Sequence, residues 1–201
     1  MELIVQFASQ MCLYALIATF VENTVFSRAI GTSTSLWMIR KKHNIFLFGA
    51  VMTIITTGSS ILAKLVEPWL VKQKNAFYLT PFVYVCIIGL IYVIMLLVTN
   101  RFHFPHKELL LVFIHRCSFN CAVLGALLLS TEGKLDMGGF VGFGIGTGIG
   151  FTIATLLVDI AYERLNSASI PRAFRGFPIT LFYIGILSLA IYGMIGHELP
   201  I

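Results

Sequence analysis

Charged residues are scarce in this chain: Lys, Arg, Asp and Glu make up 11% of the 201 residues, whereas 58% are hydrophobic. Soluble domains contain about 25% charged residues, so the composition excludes a soluble globular protein and indicates a polytopic membrane protein. No segment between the apolar stretches looks long enough to fold separately. We therefore expect a single domain over residues 1–201, surrounded by the lipid bilayer.

The chain also lacks the marks of a secreted protein and of a nucleic-acid-binding protein. Its four cysteines, Cys12, Cys86, Cys117 and Cys121, all fall in apolar segments, which argues against a secreted disulfide framework. The N-terminus has no basic region or small-residue cleavage site of the kind that marks a signal peptide. The net charge of +5 is modest and its cations lie mainly in loops, so it indicates topology and not nucleic-acid binding.

Six apolar blocks account for most of the sequence. A membrane span needs about 20 apolar residues, and all blocks except the first fit that length. The first is longer and carries Glu22, Asn23 and Arg28, so we expect one helix to about Phe20, then a turn and a half-helix that ends near Gly31-Thr32-Ser33-Thr34. The blocks run from Leu3 to about Leu36, and over about Asn44–Leu65, Tyr78–Thr99, Leu109–Ser130, Met137–Ala161 and Phe177–Ile195.

Loop charges predict the orientation of the chain. If six spans alternate in direction, one side holds twice as many basic residues as the other, and the basic side should be cytoplasmic. Both termini are then predicted to lie outside. The basic side would carry Arg40, Lys41, Lys42, Arg101, Lys107, Arg164, Arg172 and Arg175, and the other side Lys64, Lys72, Lys74 and Lys134.

Polar interruptions occur early in the first and the fourth blocks, about half a chain apart. They read Val21-Glu22-Asn23-Thr24-Val25-Phe26 and Phe119-Asn120-Cys121-Ala122-Val123-Leu124. Two halves of three spans each must be inverted relative to one another, and interrupted helices of inverted repeats meet near the bilayer midplane to form a site. We predict an all-α membrane fold of six transmembrane helices in two inverted repeats, about 1–100 and 101–201, with half-helices in the first and fourth elements.

The fifth block has seven glycines between Gly138 and Gly150. Gly142, Gly146 and Gly150 have the GxxxG spacing that lets helix backbones approach closely, so we expect tight helix packing, with a helix break beside the site as a further expectation. A phosphate-binding loop would need a following Lys-Ser/Thr or a strand–turn–helix setting, and neither is present.

Several polar side chains in the apolar blocks are candidate functional residues. Cys121 could be a metal or iron–sulfur ligand, or a small packing residue beside Asn120. Glu22 could bind an ion together with Asn23, pair with Arg28 or Arg116, or cap the half-helix through backbone N–H groups. The two arginines could anchor a partner or tune the potential of a nearby cofactor. His115 is more typical of a hydrogen-bonded structural residue.

Several ordered motifs make the chain similar to the Rnf A/E and Nqr D/E family of membrane subunits. Asn120-Cys121-Ala122-Val123-Leu124-Gly125 resembles the family's NCAVLG motif, and Val21-Glu22-Asn23 with Gly31 matches its VEN…G pattern. The resemblance covers essentially the whole chain. It continues through a glycine run at Gly146–Thr152, an RERL-like stretch at Tyr162-Glu163-Arg164-Leu165 and a VPKPFKGLPI-like segment at Ile170–Ile179.

The resemblance implies a six-helix, inverted-repeat subunit of a sodium- or proton-translocating oxidoreductase. Such a subunit pairs with a homologous membrane subunit of opposite topology and passes electrons through a [2Fe–2S] cluster shared between them, or scaffolds that path. Flavin- and iron–sulfur-binding subunits are implied as further partners, and the inner (plasma) membrane of a prokaryote as the location. We expect a subunit of a redox-driven translocase that is not active alone.

One departure from the family pattern concerns the cluster ligands. The resemblance makes Cys121 the second-half ligand, but Ser33 stands where the first-half cysteine of the family's G-x-C-P turn is expected, and the proline is absent as well. Iron–sulfur clusters are held mainly by thiolates. Three outcomes are open: Cys117, four residues before Cys121 and so on the same face of a helix, replaces the ligand; Ser33 or the partner completes an altered cluster; or the cluster is lost.

Two other functions are compatible with the residues. A cluster-free transporter or channel-like protein could reuse the inverted-repeat fold, with Glu22 and Asn23 as its substrate or ion site. A purely structural role in assembly is the third hypothesis.

Overall fold

The computed structural model describes residues 2–40, 44–73, 75–102, 107–165, 167 and 170–195. Lys41, Lys42 and Lys74, which enter the loop-charge prediction, lie outside the described residues, as do the side chains of Arg40 and Glu163. Within the described part the chain is all-helical and has no strand, which confirms the predicted class. The helices are α1 (Glu2–Leu16, continued by a π-helical turn, Ile17–Val21), α2 (Thr32–Arg40), α3 (Ile45–Leu70), α4 (Ala76–Arg101), α5 (Lys107–Ser118), α6 (Cys121–Glu132), α7 (Met137–Leu165) and α8 (Phe177–Ile195).

Four helical segments of the described chain are long and apolar enough to cross a membrane: Ile4–Val21, α3, α4 and Met137–Tyr162 within α7. The helices α5 and α6 are apolar enough only as a pair, and they are bent by 44° at a short break, as in a broken span or a re-entrant loop. The apolar stretch Phe177–Gly193 of α8 is shorter. The chain is therefore a multi-pass membrane protein, and the six-span inverted repeat stays a prediction.

One face of α7 packs directly on the backbone of α1. A methyl group added at Gly142 would come within 2.2 Å of the Met11 carbonyl oxygen, and one at Gly146 within 2.3 Å of the Ala15 carbonyl oxygen. Because the contacts on both helices advance together, α1 and α7 run parallel. The close approach that the GxxxG spacing predicts is confirmed.

A second row of glycines on α7 packs against α3. A methyl group at Gly144 would come within 2.6 Å of Ser60 Oγ, and one at Gly148 within 2.3 Å of Thr53 Oγ1. The partners descend along α3 as α7 ascends, so these two helices are antiparallel. Thr56 Oγ1 donates a hydrogen bond of 2.7 Å to the Gly144 carbonyl across this contact. The expected helix break is absent: α7 is continuous from Met137 to Leu165, because helices packed on both faces hold the glycine run in place.

The first block is broken, but the half-helix lies on the other side of Gly31 from the one predicted. Residues 22–31 form an irregular connection, and α2 begins at Thr32 instead of ending there. Gly31 has φ +84°, a left-handed conformation that favours glycine and lets the chain turn sharply. Its carbonyl oxygen then accepts the N–H groups of Thr34 and Ser35 at 3.1 Å each, so the helix starts at this turn.

Candidate functional site at the two helix breaks

The N-termini of α2 and α6 meet halfway along α7. A methyl group added at Gly31 would lie 2.9 Å from Asn120 Oδ1, 2.9 Å from the Phe151 ring and 3.3 Å from Ala122 Cβ. Gly31 directly precedes α2, Asn120 is the N-cap of α6, and Phe151 is near the middle of α7. The first break (residues 22–31) and the second break (residues 119–120) each lead into a helix N-terminus, with its unpaired N–H groups and partial positive charge. Both N-termini lie halfway along α7, and so at mid-depth if α7 crosses the bilayer.

Ser33 and Cys121 lie beside this junction. Ser33 is the second residue of α2 and Cys121 the first of α6, and both are exposed. The structure thus places the start of α6, which carries the predicted ligand Cys121, next to the start of α2, where Ser33 stands in place of the second expected cysteine. Polar groups facing hydrocarbon at this depth are costly, which favours another protein, and not lipid, as the neighbour of this face.

Cys117 does not share a face with Cys121, contrary to the prediction. The helix ends at Ser118 and a new one starts at Cys121 in a different direction, so the four-residue spacing no longer places the two side chains together. Cys117 is fully buried, and its Sγ lies 3.8 Å from the Phe48 carbonyl oxygen, to which it donates. The prediction failed because it assumed an unbroken helix.

The resemblance implies a cysteine at each of these helix starts as ligands of a [2Fe–2S] cluster, and this chain has a cysteine at only one of them. Cys121 offers a thiol at the surface, where a partner could share the group, while Ser33 offers a hydroxyl oxygen on the neighbouring helix. Asn120 Nδ2 is buried and has no hydrogen-bond partner among the described residues, so it is an unused donor on the residue before Cys121. Within the described residues no three His, Cys, Asp or Glu side chains are grouped to hold a metal ion.

Asn23 closes the first break with four hydrogen bonds. Its Nδ2 donates to the carbonyl oxygens of Thr19 at 2.9 Å and Gly150 at 3.0 Å. Its Oδ1 accepts the N–H groups of Val25 at 3.0 Å and Phe26 at 3.3 Å. The Gly150 bond fixes the break to the middle of α7, so Asn23 has a structural role there; no observation tests it as an ion ligand.

Asn120 occupies the corresponding position in the second break. Its Oδ1 accepts the Ala122 N–H at 3.1 Å, as Asn23 accepts from the residue two positions ahead. This shared bond aligns Asn23 with Asn120, whereas the sequence comparison of the two interruptions aligns Asn23 with Cys121. This turn, shared by the two breaks, is therefore offset by one residue from the sequence alignment of the two interruptions.

Glu22 pairs with Arg28, one of the three roles considered for it. Arg28 Nη2 lies 3.3 Å from Glu22 Oε2, and the two side chains are 46% and 37% exposed. The capping role falls instead to Asn23 and Asn120. Arg116 stacks on Trp37 with its guanidinium carbon 4.7 Å from the ring centre, which links α5 to α2.

His115 has the structural role expected for it. Its Nδ1 lies 3.1 Å from the Tyr92 hydroxyl, and its ring packs against Phe119, with the centroids 5.1 Å apart. These contacts join α4 to the end of α5.

A cavity of about 290 Å³ lies between the first break and the end of α6. Sequence reasoning missed Glu132 in its lining, since this residue looks like an ordinary charge at the end of an apolar block. Glu22, Arg28 and Glu132 supply the charges, and the remaining lining residues are Tyr14, Ile17, Leu129, Gly133, Leu135 and Phe143.

Known proteins match this chain along most of its length. The model of the Rnf-Nqr family of membrane proteins covers residues 11–197. A relative from Glaesserella parasuis, named as part of an ion-translocating oxidoreductase complex, is 29% identical over 176 residues, which are 88% of this chain and 91% of that protein. A relative from Acetobacterium woodii, named as part of a Na(+)-translocating ferredoxin:NAD(+) oxidoreductase complex, is 26% identical over 182 residues, or 90% and 95% of the two chains.

Proposed function

Since the chain belongs to the Rnf-Nqr family of membrane proteins, we propose that it is a membrane subunit of an ion-translocating oxidoreductase complex in a prokaryotic inner membrane. The observation that carries the proposal is the junction of two helix N-termini at mid-depth with exposed Cys121 and Ser33. The relatives are named as subunits of such complexes, which favours this function over an independent transporter or channel.

The exposed junction is the proposed contact with a homologous subunit of opposite topology. Exposed Ser33 and Cys121 lie where lipid would leave polar groups unpaired. A partner that presents an equivalent pair of helix N-termini would cover them and exclude water. Flavin- and iron–sulfur-binding subunits would complete the complex.

We further propose that Cys121 and Ser33 hold this chain's side of a [2Fe–2S] cluster shared with that partner. The cluster would accept and donate one electron at a time. The N–H groups at the starts of α2 and α6 favour negative charge, and Asn120 Oδ1 fixes the start of α6 by accepting the Ala122 N–H. The chain's own contribution is thus to position the group and to stabilise its charge.

Iron and sulfide analysis with EPR on the purified, reduced complex tests this proposal. We expect a cluster signal in the wild type, its loss in Cys121→Ala, and its retention in Cys86→Ala, which removes another exposed cysteine. Ser33→Cys should change the signal, because a thiolate would replace a hydroxyl ligand.

Two results would overturn parts of the proposal. A wild-type complex without the cluster signal rules out electron transfer through this site and leaves a scaffolding role. Failure of the chain to co-purify with the other subunits rules out membership of the complex itself.

A further inference from the structure

The Glu22–Arg28 pair is a charged, partly exposed pair at the depth of the bilayer centre. Glu22 is next to Asn23, whose side chain bonds to Gly150 in the middle of α7. Charges at this depth almost always face protein or a water-filled cavity, because hydrocarbon cannot solvate them. The pair therefore needs a source of water or of protein contacts beyond its own ion pair.

The cavity beside the pair connects it with one end of the bundle. Its lining runs from Ile17 and Glu22 at the π-helical turn to Glu132 and Gly133 at the end of α6. The turn between α6 and α7 is polar and belongs to the side predicted to face outside. A volume of about 290 Å³ holds roughly ten water molecules at about 30 Å³ each.

Charges in the lining favour a cation over an anion. Two carboxylates, Glu22 and Glu132, face one guanidinium, that of Arg28. The separation of 3.3 Å in the ion pair is longer than the about 2.7–2.9 Å of a strong charge-assisted hydrogen bond, so a cation could compete with Arg28 for Glu22. Lys134 follows in the same turn but is not a lining residue, and Lys64 is held by the Glu67 carboxylate and the Leu135 carbonyl.

We propose that this cavity is a water-filled vestibule that admits a monovalent cation from the α6–α7 end of the bundle to the Glu22 carboxylate. The inference rests on the proposed function, since it gives a component of an ion-translocating complex its own ion entry. It concerns hydration and charge, which are measurable without electron transfer. It is also independent of whether Cys121 holds a cluster.

Thiol labelling of the complex in native membranes tests the vestibule. Leu129→Cys places a thiol in the cavity, and Leu90→Cys places one on the exposed, apolar surface of α4. Both are treated with a cationic and an anionic methanethiosulfonate of similar size, and mass spectrometry identifies the modified residue. We expect the cationic reagent to modify Leu129→Cys at least about tenfold faster than the anionic one, and Leu90→Cys to stay unreactive.

Charge variants separate hydration from selectivity. Adding Glu132→Gln to Leu129→Cys should reduce the cation preference at least about threefold, whereas Glu108→Gln, an exposed glutamate on α5, should leave it unchanged. If Leu129→Cys reacts as slowly as Leu90→Cys, the cavity is not hydrated. If it reacts equally with both reagents, the cation selectivity is wrong. Neither result depends on cluster content, so failure here is distinguishable from failure of the proposed function.

Discussion

Each of the two helix breaks contains a buried asparagine, but the two side chains form different numbers of hydrogen bonds. In the first break Asn23 satisfies both ends of its amide, with two donated and two accepted hydrogen bonds. In the second, Asn120 accepts one N–H and its Nδ2 stays without a partner. An unpaired buried donor costs about 1–3 kcal/mol, so the hydrogen bonds within this chain stabilise the second break less than the first.

The two breaks also differ in the residues that surround them. The first break is bonded to the backbone of α7 at Gly150, and its Phe26 carbonyl accepts from Ser188 of α8. The second break borders the exposed Phe119 and Cys121. The comparison indicates that the Asn23 side chain bonds the first break to α7, whereas the Asn120 side chain makes no such bond between helices in the described part of the chain.

The largest effect should come from pushing α1, which leads into the first break, away from α7. Gly146→Ala would place a methyl group 2.3 Å from the Ala15 carbonyl oxygen, and backbone cannot yield as a flexible side chain does. We expect the free energy of unfolding in detergent to fall by more than about 3 kcal/mol, or folding to fail. The control is Gly89→Ala in α4, where nothing lies within 4 Å and helix propensity predicts a gain of up to about 1 kcal/mol.

Equal losses in Gly146→Ala and Gly89→Ala would show that the loss comes from glycine replacement in general and not from the α1–α7 contact. Should folding fail, Gly138→Ala is the softer test of the same contact, because its methyl group would lie 2.9 Å from the Phe7 carbonyl oxygen of α1.

Sequence patterns predicted the all-helical class, the tight glycine packing and the breaks in the first and fourth blocks, because composition and residue size act locally. The position of the half-helix in the first block was mispredicted, since the left-handed turn at Gly31, after which it begins, packs against Asn120 and Phe151. The shared face predicted for Cys117 and Cys121 was wrong because the helix break between them changes the face on which each residue lies.

The cavity could not be predicted, since it joins residues from α1, the first break and the end of α6. No local pattern connects Glu132 with Glu22. The Glu22–Arg28 pair could be predicted because its two members are only six positions apart in the sequence. The contacts between residues that are far apart in the sequence, such as Glu22 and Glu132, are therefore what only the structure could show.

A middle-sized effect is expected from Asn23→Ala. It removes four hydrogen bonds, each worth about 0.5–1 kcal/mol net in a membrane protein, so the free energy of unfolding should fall by about 2–4 kcal/mol. Asn100→Ala, at an exposed position near the end of α4, is the control and should change stability little. If Asn23→Ala matched this control, the four bonds would not hold the break in place.

The smallest effect is expected from Asn120→Ala, although Asn120 is as buried as Asn23. It loses one capping bond, worth about 1 kcal/mol, and the removal of an unpaired amide group offsets part of this loss. Thermal unfolding of Asn120→Ala beside Asn23→Ala measures the difference between the two breaks directly. A loss as large as that of Asn23→Ala would mean that the Asn120 side chain stabilises the second break as strongly as the Asn23 side chain stabilises the first.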